Sequence, residues 1–182
     1  MIDNSKYSCF FVNCIQINSI YMENSLPIHI ATLSKSEKYD LLIQFWNGLA
    51  DFDVDWIANF SNATALMKEI FNWWWVGFYR VDENQLVLTT FQGTSACTKI
   101  PFGKGVCGKC WETKQTIVVP NVHDFEGHIA CSSASNSEIV VPILKNNEIW
   151  GVLDVDSQFL DHFDDIDKQH LEILCAKLAH HL

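Results

Sequence analysis

Residues 139–156 read IVVPILKNNEIWGVLDVD, with two apolar runs on either side of a short polar stretch. Both runs are rich in β-branched side chains, which favour strands, and the Asn146-Asn147 pair between them is typical of a tight hairpin turn. The stretch therefore predicts a β-hairpin that pairs residues 139–144 with residues 149–156.

The second strand of this hairpin carries two carboxylates on one face. Alternation places Trp150, Val152, Asp154 and Asp156 on the same side of the sheet. Burial and the repulsion between like charges both favour protonation, so we expect at least one of these carboxyl groups to have a raised pKa. An alternative is that Asp156 simply marks the solvent-exposed end of the strand.

Glu138 begins the partner strand, and the face on which it lies depends on the turn. A two-residue turn pairs residue 139 with residue 154, which sends Glu138 to the opposite face. A turn with one more residue, or a bulge at the strand start, pairs 138 with 156 and brings three carboxylates together. Alternation alone leaves both registers open.

Helices and a second hairpin are predicted around this one. Residues 73–81 and 85–91 form the other hairpin, and residues 116–120 a further strand. Helix starts are marked by a capping box of Ser34 with Glu37, by Asp53 or Asp55, and by Asp164 or Asp165. The pattern predicts an α+β fold, with a mainly antiparallel central sheet flanked by N-terminal and C-terminal helices. We expect one domain over residues 26–182, preceded by a loose extension over residues 1–25.

Composition narrows the class of protein. Of the 182 residues, 48% are hydrophobic and 13% aromatic, which is enough for one core. The net charge of −10 argues against nucleic acid or an anionic membrane as partner, because both would repel the chain. No apolar run approaches the ~18 residues of a membrane span. We expect a cytoplasmic protein.

Three consecutive tryptophans open the first predicted hairpin. Alternation from Trp73 places Trp73 and Trp75 on the face of Tyr79, and Trp74 on the other face. Core packing accounts for at least one of them. An aromatic wall of Trp75 and Tyr79 beside clustered carboxylates would suit a cationic, partly apolar small molecule.

The cysteines need a chemical explanation. Four of the seven, Cys97, Cys107, Cys110 and Cys131, lie in the central part of the chain. A chain of this length does not need disulfides to fold, so we expect reduced thiols in a reducing compartment. Cys131 lies in a long irregular segment, residues 121–137, and such loops are usually functional.

Two motifs in this region have alternative interpretations. The pattern Gly103-x-Gly105-x-x-Gly108 matches a dinucleotide-binding motif, but it lacks the preceding parallel strand. It is better explained by a tight turn whose backbone N–H groups face a small anion. Cys107-x-x-Cys110 together with His128-x-x-Cys131 has nearly the spacing of a structural zinc site, which is an alternative to redox chemistry.

Several motifs in this order resemble the free methionine-R-sulfoxide reductases. They are residues 91–97 (FQGTSAC), 105–108 (GVCG), 127–131 (GHIAC), 137–142 (SEIVVP) and 151–156 (GVLDVD). The resemblance runs from about residue 35 to the C-terminus. It implies a GAF-like domain that reduces the free amino acid rather than peptides, with thioredoxin as the external reductant and an antioxidant role.

The resemblance also assigns roles to residues. It implies that Cys131 attacks the substrate and that Cys97 and Cys107 are resolving or recycling cysteines. It places Trp75, Tyr79, Glu138, Asp154 and Asp156 in the substrate pocket, and so favours the register in which Glu138 faces the aspartates. Cys110 stands where the family usually has a small residue, which argues against zinc; we expect no metal and no bound cofactor.

The predicted chemistry is a thiolate attack on the sulfoxide sulfur with protonation of the departing oxygen. The product, a sulfenic acid on Cys131, would condense with a nearby thiol to a disulfide. We expect Glu138 as acid, with Asp154 and Asp156 on the side of the substrate ammonium. Free methionine sulfoxide and thioredoxin are the expected partners, and a homodimer is left open. The rival function is a non-enzymatic GAF sensor of small molecules, which would not need the three cysteines.

Overall fold

The computed structural model describes residues 30–129 and 133–182. Ser34–Leu182 form one compact unit. Of the preceding unit, the structure describes a single 3-10 turn, Ile30–Thr32. The predicted extension over residues 1–25 lies outside the described residues and stays a prediction.

Side-chain caps define where the three longer helices begin. Helix α1 (Lys35–Leu49) starts with the predicted capping box, in which both the Ser34 and the Glu37 bonds are present. Helix α2 (Trp56–Phe71) is capped by Asp55. Helix α4 (Asp165–Ala179) is capped by Asp164. Each cap satisfies N–H groups that have no partner inside the helix. For α2 and α4, the cap fixes a boundary that the sequence left between two aspartates.

Six strands form one antiparallel sheet, which agrees with the predicted mainly antiparallel sheet, although Lys99–Pro101 was not predicted as a strand. They are β1 (Trp75–Asp82), β2 (Gln85–Gln92), β3 (Lys99–Pro101), β4 (Ile117–Val119), β5 (Ser137–Lys145) and β6 (Glu148–Ser157). Their spatial order is β3-β2-β1-β6-β5-β4. Helix α3 (Gly105–Thr113) connects β3 to β4. The two hairpins therefore meet at the centre of the sheet, where β1 pairs with β6.

A bulge in β6 settles the register of the second hairpin. The turn is the two-residue one, since Lys145 pairs with Glu148, but the register shifts between Leu144 and Ile143. Trp150 is the extra residue, because Leu144 pairs with Ile149 whereas Ile143 pairs with Gly151. As a result Glu138 lies opposite Asp156, on the face of both aspartates.

The same bulge makes the predicted orientation of Trp150 wrong. Its indole packs against α2, with ring centroids 4.9 Å from Trp56 and 5.1 Å from Phe60. Phe60 in turn packs at 4.7 Å against Phe78, which lies on the face opposite Tyr79. Simple alternation fails here because a bulge places two consecutive residues against one partner residue.

Each face of the sheet is covered by a different set of helices. Phe78 and its neighbours pack under α2, and α4 covers β5 on that side. On the other face, Tyr79, Val140 and Val152 pack with Val106 and Cys107 of α3. The fold is thus a three-layer α+β arrangement, and its small third layer is α3.

Two of the three consecutive tryptophans precede β1. The strand starts only at Trp75, after Asn72 ends α2 in the left-handed conformation. Trp73 is buried on the helical side and stacks on Phe71, with ring centroids 4.2 Å apart. The prediction that Trp73 shares a face with Trp75 is wrong, because strand alternation does not extend back through the turn.

A buried ion pair joins the first helix to the last. The Lys35 ammonium lies 2.5 Å from Asp167 and 2.9 Å from Asp164. The Tyr39 hydroxyl donates to the other oxygen of Asp167 at 2.7 Å. Asp167 is only 1% exposed, so these partners replace the water that would otherwise surround its carboxylate. In the described part of the chain, no helix is long and apolar enough to cross a membrane.

Candidate active site

A pocket lies between α3 and the sheet face that carries the aspartates. Its lining includes the predicted site residues Trp75, Tyr79, Cys107, Glu138, Asp154 and Asp156. The free space within the pocket, which opens partly to solvent, measures about 30 Å³.

Strand pairing places the three carboxylates on the pocket floor. Glu138 and Asp156 lie opposite each other on β5 and β6, and Asp154 comes two residues before Asp156 on the same face. Glu138 is 5% exposed and Asp154 is 7% exposed. Three acidic groups therefore share one small, mostly dry space, in which ionisation of all three would be costly.

Burial shifts the pKa of all three carboxyl groups upward. It raises the pKa of Glu138 well above its ordinary value, and the neighbouring charge of Asp156 adds to the effect. It likewise raises the pKa of Asp154, with further contributions from Glu138 and Asp156. Burial raises the pKa of Asp156 to about 6, although a hydrogen bond from Ser135 works in the opposite direction. The trio can therefore hold protons and a negative charge together at neutral pH.

One oxygen of Asp154 has no partner. The Asp154 carboxylate lies close to Glu138 and to the Cys107 thiol, with one ligand atom of each within 4.8 Å of the others. Its Oδ1 is nevertheless buried without a hydrogen-bond partner among the described residues. An unpaired buried carboxylate oxygen is costly, so this atom is available to a cationic or hydrogen-bonding ligand.

His128 also faces the acidic trio. Its Nε2 lies 3.5 Å from Oε2 of Glu138. Burial lowers the pKa of His128, and the charge of Asp156 opposes that effect. The sequence motif at residues 127–131 contains this histidine, but its spacing from the cysteines indicates only a metal ligand. Ser135 was also missed, because a serine in an irregular loop gives no signal in the sequence.

Trp75 and Tyr79 form the aromatic wall that their shared face predicts. Their ring centroids are 6.1 Å apart. The Trp75 indole lies flat over Gly77, where an added Cβ would come within 2.5 Å of the ring. Its Nε1 donates to the Thr94 carbonyl at 3.0 Å. Glycine at position 77 is thus required for the indole to lie against the sheet and leave space above it.

The Tyr79 hydroxyl points to the loop that contains Cys97. It donates to the Cys97 carbonyl at 3.0 Å. Burial, followed by the charge of Asp154, raises the pKa of Tyr79, so that its phenol stays neutral. The aromatic wall therefore also holds in place the backbone of a predicted redox cysteine.

The cysteines differ in their redox states. Cys97 is disulfide-bonded. Cys107, Cys110 and Cys175 are free, buried thiols. Cys131, the predicted nucleophile, lies outside the described residues. Burial raises the pKa of Cys107 well above its usual range, and the nearby Asp154 charge adds to this.

Among the described residues, the members of the possible zinc site of Cys107, Cys110, His128 and Cys131 do not converge on one point. The Cys110 Sγ faces the carbonyl of Val140 at 3.7 Å, under α3. The metal-ligating atoms that do converge among the described residues belong to Cys107, Glu138 and Asp154, all within 4.8 Å of one another. Cys131, the fourth member of the grouping, lies outside the described residues.

The N-terminus of α3 supplies the positive counterpart to the acidic floor. Gly105, Val106 and Cys107, its first turn, line the pocket. Lys104 makes no side-chain capping bond to this turn. Since the first N–H groups of a helix have no partners inside it, they are suited to an anion. The pocket thus has an acidic side and an anion-binding side, which fits a zwitterion.

Comparison with known proteins agrees with this architecture. The GAF domain family model matches residues 55–182. GAF domain-containing protein A of Dictyostelium discoideum is 52% identical over 145 residues, 79% of this chain and 92% of that protein. The free methionine-R-sulfoxide reductase of Saccharomyces cerevisiae is 43% identical over 157 residues, 81% of this chain and 87% of that protein.

A solved structure gives the same result. The free methionine-R-sulfoxide reductase of Neisseria meningitidis, in complex with its substrate, has a TM-score of 0.80 at 45% identity and covers 86% of this chain and 95% of that one. The chain therefore belongs to the GAF-domain family and, within it, to the free methionine-R-sulfoxide reductases. The family and the fold class predicted from the motifs are confirmed.

Proposed function

We propose that this chain is an oxidoreductase that reduces free methionine-R-sulfoxide to methionine, with Cys131 as the nucleophile. The observation that carries this proposal is the composition of the pocket. Three carboxylates, two aromatic rings and a helix N-terminus converge on one small pocket. The yeast and Neisseria relatives bear the name of this activity.

The pocket fits the two poles of the free amino acid. Asp156, with a pKa of about 6, is largely ionised at pH 7 and can pair with the substrate ammonium, together with Asp154. The N–H groups at the start of α3 are available for the substrate carboxylate. Trp75 and Tyr79 offer a flat apolar surface for the thioether part. A peptide bond at either pole would remove the charge that the pocket matches.

Glu138 is suited to supply a proton to the departing oxygen. Its burial raises its pKa well above the ordinary value, which favours the protonated carboxyl that a proton donor requires. The Cys131 thiolate attacks the sulfoxide sulfur while the sulfoxide oxygen takes up a proton. This hydroxyl, or a water that replaces it, then bonds to the Cys131 sulfur as the bond between the two sulfurs breaks, and the electron pair of that bond stays on methionine. Methionine and a sulfenic acid on Cys131 are the products. Condensation of this sulfenic acid with a second thiol gives a disulfide and one water.

Cys97, rather than Cys107, fits the role of the resolving cysteine. Cys97 is the disulfide-bonded cysteine, whereas Cys107 is a free buried thiol whose raised pKa makes it a weak nucleophile. Thioredoxin would then reduce the disulfide from outside, without a bound cofactor. A cytoplasmic location, which supplies reduced thioredoxin, belongs to the same proposal. A homodimer stays a prediction.

Turnover of free methionine-R-sulfoxide with dithiothreitol tests the proposal. We expect the wild type and Cys110→Ser to form methionine, and Cys131→Ser to form none. With thioredoxin as reductant, Cys97→Ser should lose most of its turnover, while it keeps a single turnover and accumulates sulfenic acid detectable by mass spectrometry. Binding without methionine formation by the wild type would instead identify a small-molecule sensor, and activity in Cys131→Ser would refute the mechanism.

A further inference from the structure

The acidic floor contains a second possible ligand set. Cys107 Sγ and one oxygen each from Glu138 and Asp154 lie within 4.8 Å of one another. They come from three different elements, α3, β5 and β6, so the core packing of the domain holds them together. All three side chains are buried. No water-exposed loop is needed to assemble the group.

An unpartnered atom points to a cation at this place. Asp154 is 7% exposed, and its Oδ1 has no hydrogen-bond partner among the described residues. The Cys107 thiol and Glu138 lie beside the same carboxyl, within 4.8 Å. A cation placed among these groups would give Asp154 Oδ1 a partner and would offset the repulsion between the carboxylates.

The chemistry of the donors selects the type of cation. One sulfur and two carboxylate oxygens suit a borderline metal ion such as Zn²⁺ or Co²⁺ better than the hard ions Mg²⁺ and Ca²⁺, which take oxygen alone. Zn–S and Zn–O bonds of about 2.3 and 2.1 Å in a tetrahedron require donor atoms about 3.5 Å apart. The three donor atoms lie within 4.8 Å of one another, so metal binding requires their separations to shorten by no more than about 1.3 Å.

A fourth donor is close by. The Nε2 of His128 lies 3.5 Å from Oε2 of Glu138, on the pocket side. Imidazole is a common zinc ligand. Water or His128 can therefore complete the tetrahedron.

We propose that Cys107, Glu138 and Asp154 bind one divalent zinc-like metal ion, and that this ion inhibits the enzyme by occupying the place of the substrate ammonium. The ion displaces the protons of the thiol and of the carboxyl groups, so its binding strengthens as the pH rises. The site is distinct from the Cys/His grouping that the sequence suggests, because Cys110 takes no part in it. The metal is an inhibitor here and not a cofactor.

Titration of the reduced protein, freed of reductant, with Co²⁺ alone tests the binding. We expect one equivalent of metal and a thiolate-to-cobalt charge-transfer band. Cys107→Ser should abolish the band. Asp154→Asn should weaken binding by at least about tenfold, since even indirect partners of a metal contribute that much. Cys110→Ser, the adjacent buried thiol, is the matched control and should bind as the wild type does.

Cys131→Ser separates this site from the redox cysteine. The proposal requires the band to persist in that variant, which has no reductase activity. Loss of the band in Cys131→Ser would place the metal on the redox thiol, and a band that survives in Cys107→Ser would also overturn the proposal. So would the absence of saturable binding below about 1 mM Co²⁺.

The inhibition experiment rests on the proposed reductase function, whereas the cobalt charge-transfer band can be measured whether or not the chain is a reductase. With Zn²⁺ alone as inhibitor, we expect KM for free methionine sulfoxide to rise while kcat stays constant. Inhibition that lowers kcat without changing KM would contradict a shared site. If the chain forms no methionine at all, the reductase proposal fails, and the cobalt titration still decides whether the metal site exists.

Discussion

Replacing Asp156 by asparagine should stabilise the ligand-free protein, and increasingly so as the pH rises. Burial raises the pKa of Asp156 from its ordinary 3.8 to about 6. The folded state therefore holds this proton more tightly than the unfolded chain. The stabilisation from the protonated group is fully present below pH 3.8 and is lost as the pH rises through 6.

The size of the effect follows from the same two values. At about 1.4 kcal/mol for each tenfold step, a rise from 3.8 to about 6 corresponds to about 3 kcal/mol above pH 7 and to roughly half of that at pH 5. Because Asp156 is partly exposed, we expect about 1–3 kcal/mol at pH 8. The amide cannot ionise, so Asp156→Asn avoids this loss while it keeps the shape of the side chain.

Urea unfolding of the reduced wild type and Asp156→Asn, followed by tryptophan fluorescence at pH 4, 5, 6, 7 and 8, measures the difference. The unfolding free energy of Asp156→Asn should exceed that of the wild type by an amount that grows between pH 4 and 7 and then stays constant. Glu126→Gln, which changes an exposed carboxylate in the loop next to the pocket, should show no such difference. A difference in unfolding free energy that does not change with pH would refute the argument. So would a wild type that becomes more stable relative to the variant as the pH rises. Asp156→Asn should also lose reductase activity, because the charge of Asp156 serves substrate binding and lowers the stability of the ligand-free protein.

Three further predictions concern packing. Gly77→Ala places a Cβ within 2.5 Å of the Trp75 indole, so we expect a loss of about 1–3 kcal/mol in urea unfolding and a raised KM for methionine sulfoxide; an unchanged KM would contradict it. Gly151→Ala brings a Cβ within 2.2 Å of the Tyr79 carbonyl oxygen, which cannot move without breaking the β1–β6 pairing, so about 3 kcal/mol or more should be lost, and a fold of wild-type stability would argue against that pairing. Lys35→Met leaves the buried Asp167 carboxylate without its cation and should lower the unfolding free energy by about 3 kcal/mol at pH 7, whereas an equal Tm for variant and wild type would show that the ion pair contributes nothing.

Local chemistry predicted most of the architecture. Apolar periodicity and hairpin turns located the helices and strands, and side-chain caps restricted each helix start to one or two residues. The choice of Asp55 over Asp53, and of Asp164 over Asp165, depends on which oxygen reaches the free N–H groups of the first turn. That geometry depends on the backbone conformation of the residues that precede the helix, and the spacing of residues in the sequence does not reveal it.

The site was harder to predict because it depends on the face of the sheet on which each strand residue lies, and a shift of one residue in the register reverses the faces. Alternation left the face of Glu138 open, and the resemblance to the reductases, rather than the pattern of residues, favoured the register that the structure shows. The bulge at Trp150 has no sequence signature beyond a glycine at the next position. Similarly, the unpartnered oxygen of Asp154 results from packing between α3 and the sheet, which joins residues far apart in the chain.

The bulge at Trp150 also restricts how this gene can evolve. Surface hairpin ends usually tolerate insertions and deletions, since few buried contacts depend on them. Here the deletion of a single residue between positions 144 and 151 would rotate Glu138 away from Asp154 and Asp156. It would also exchange the inward and outward faces of a whole strand. We therefore expect homologous sequences to vary in the identity of these exposed residues while keeping their number constant.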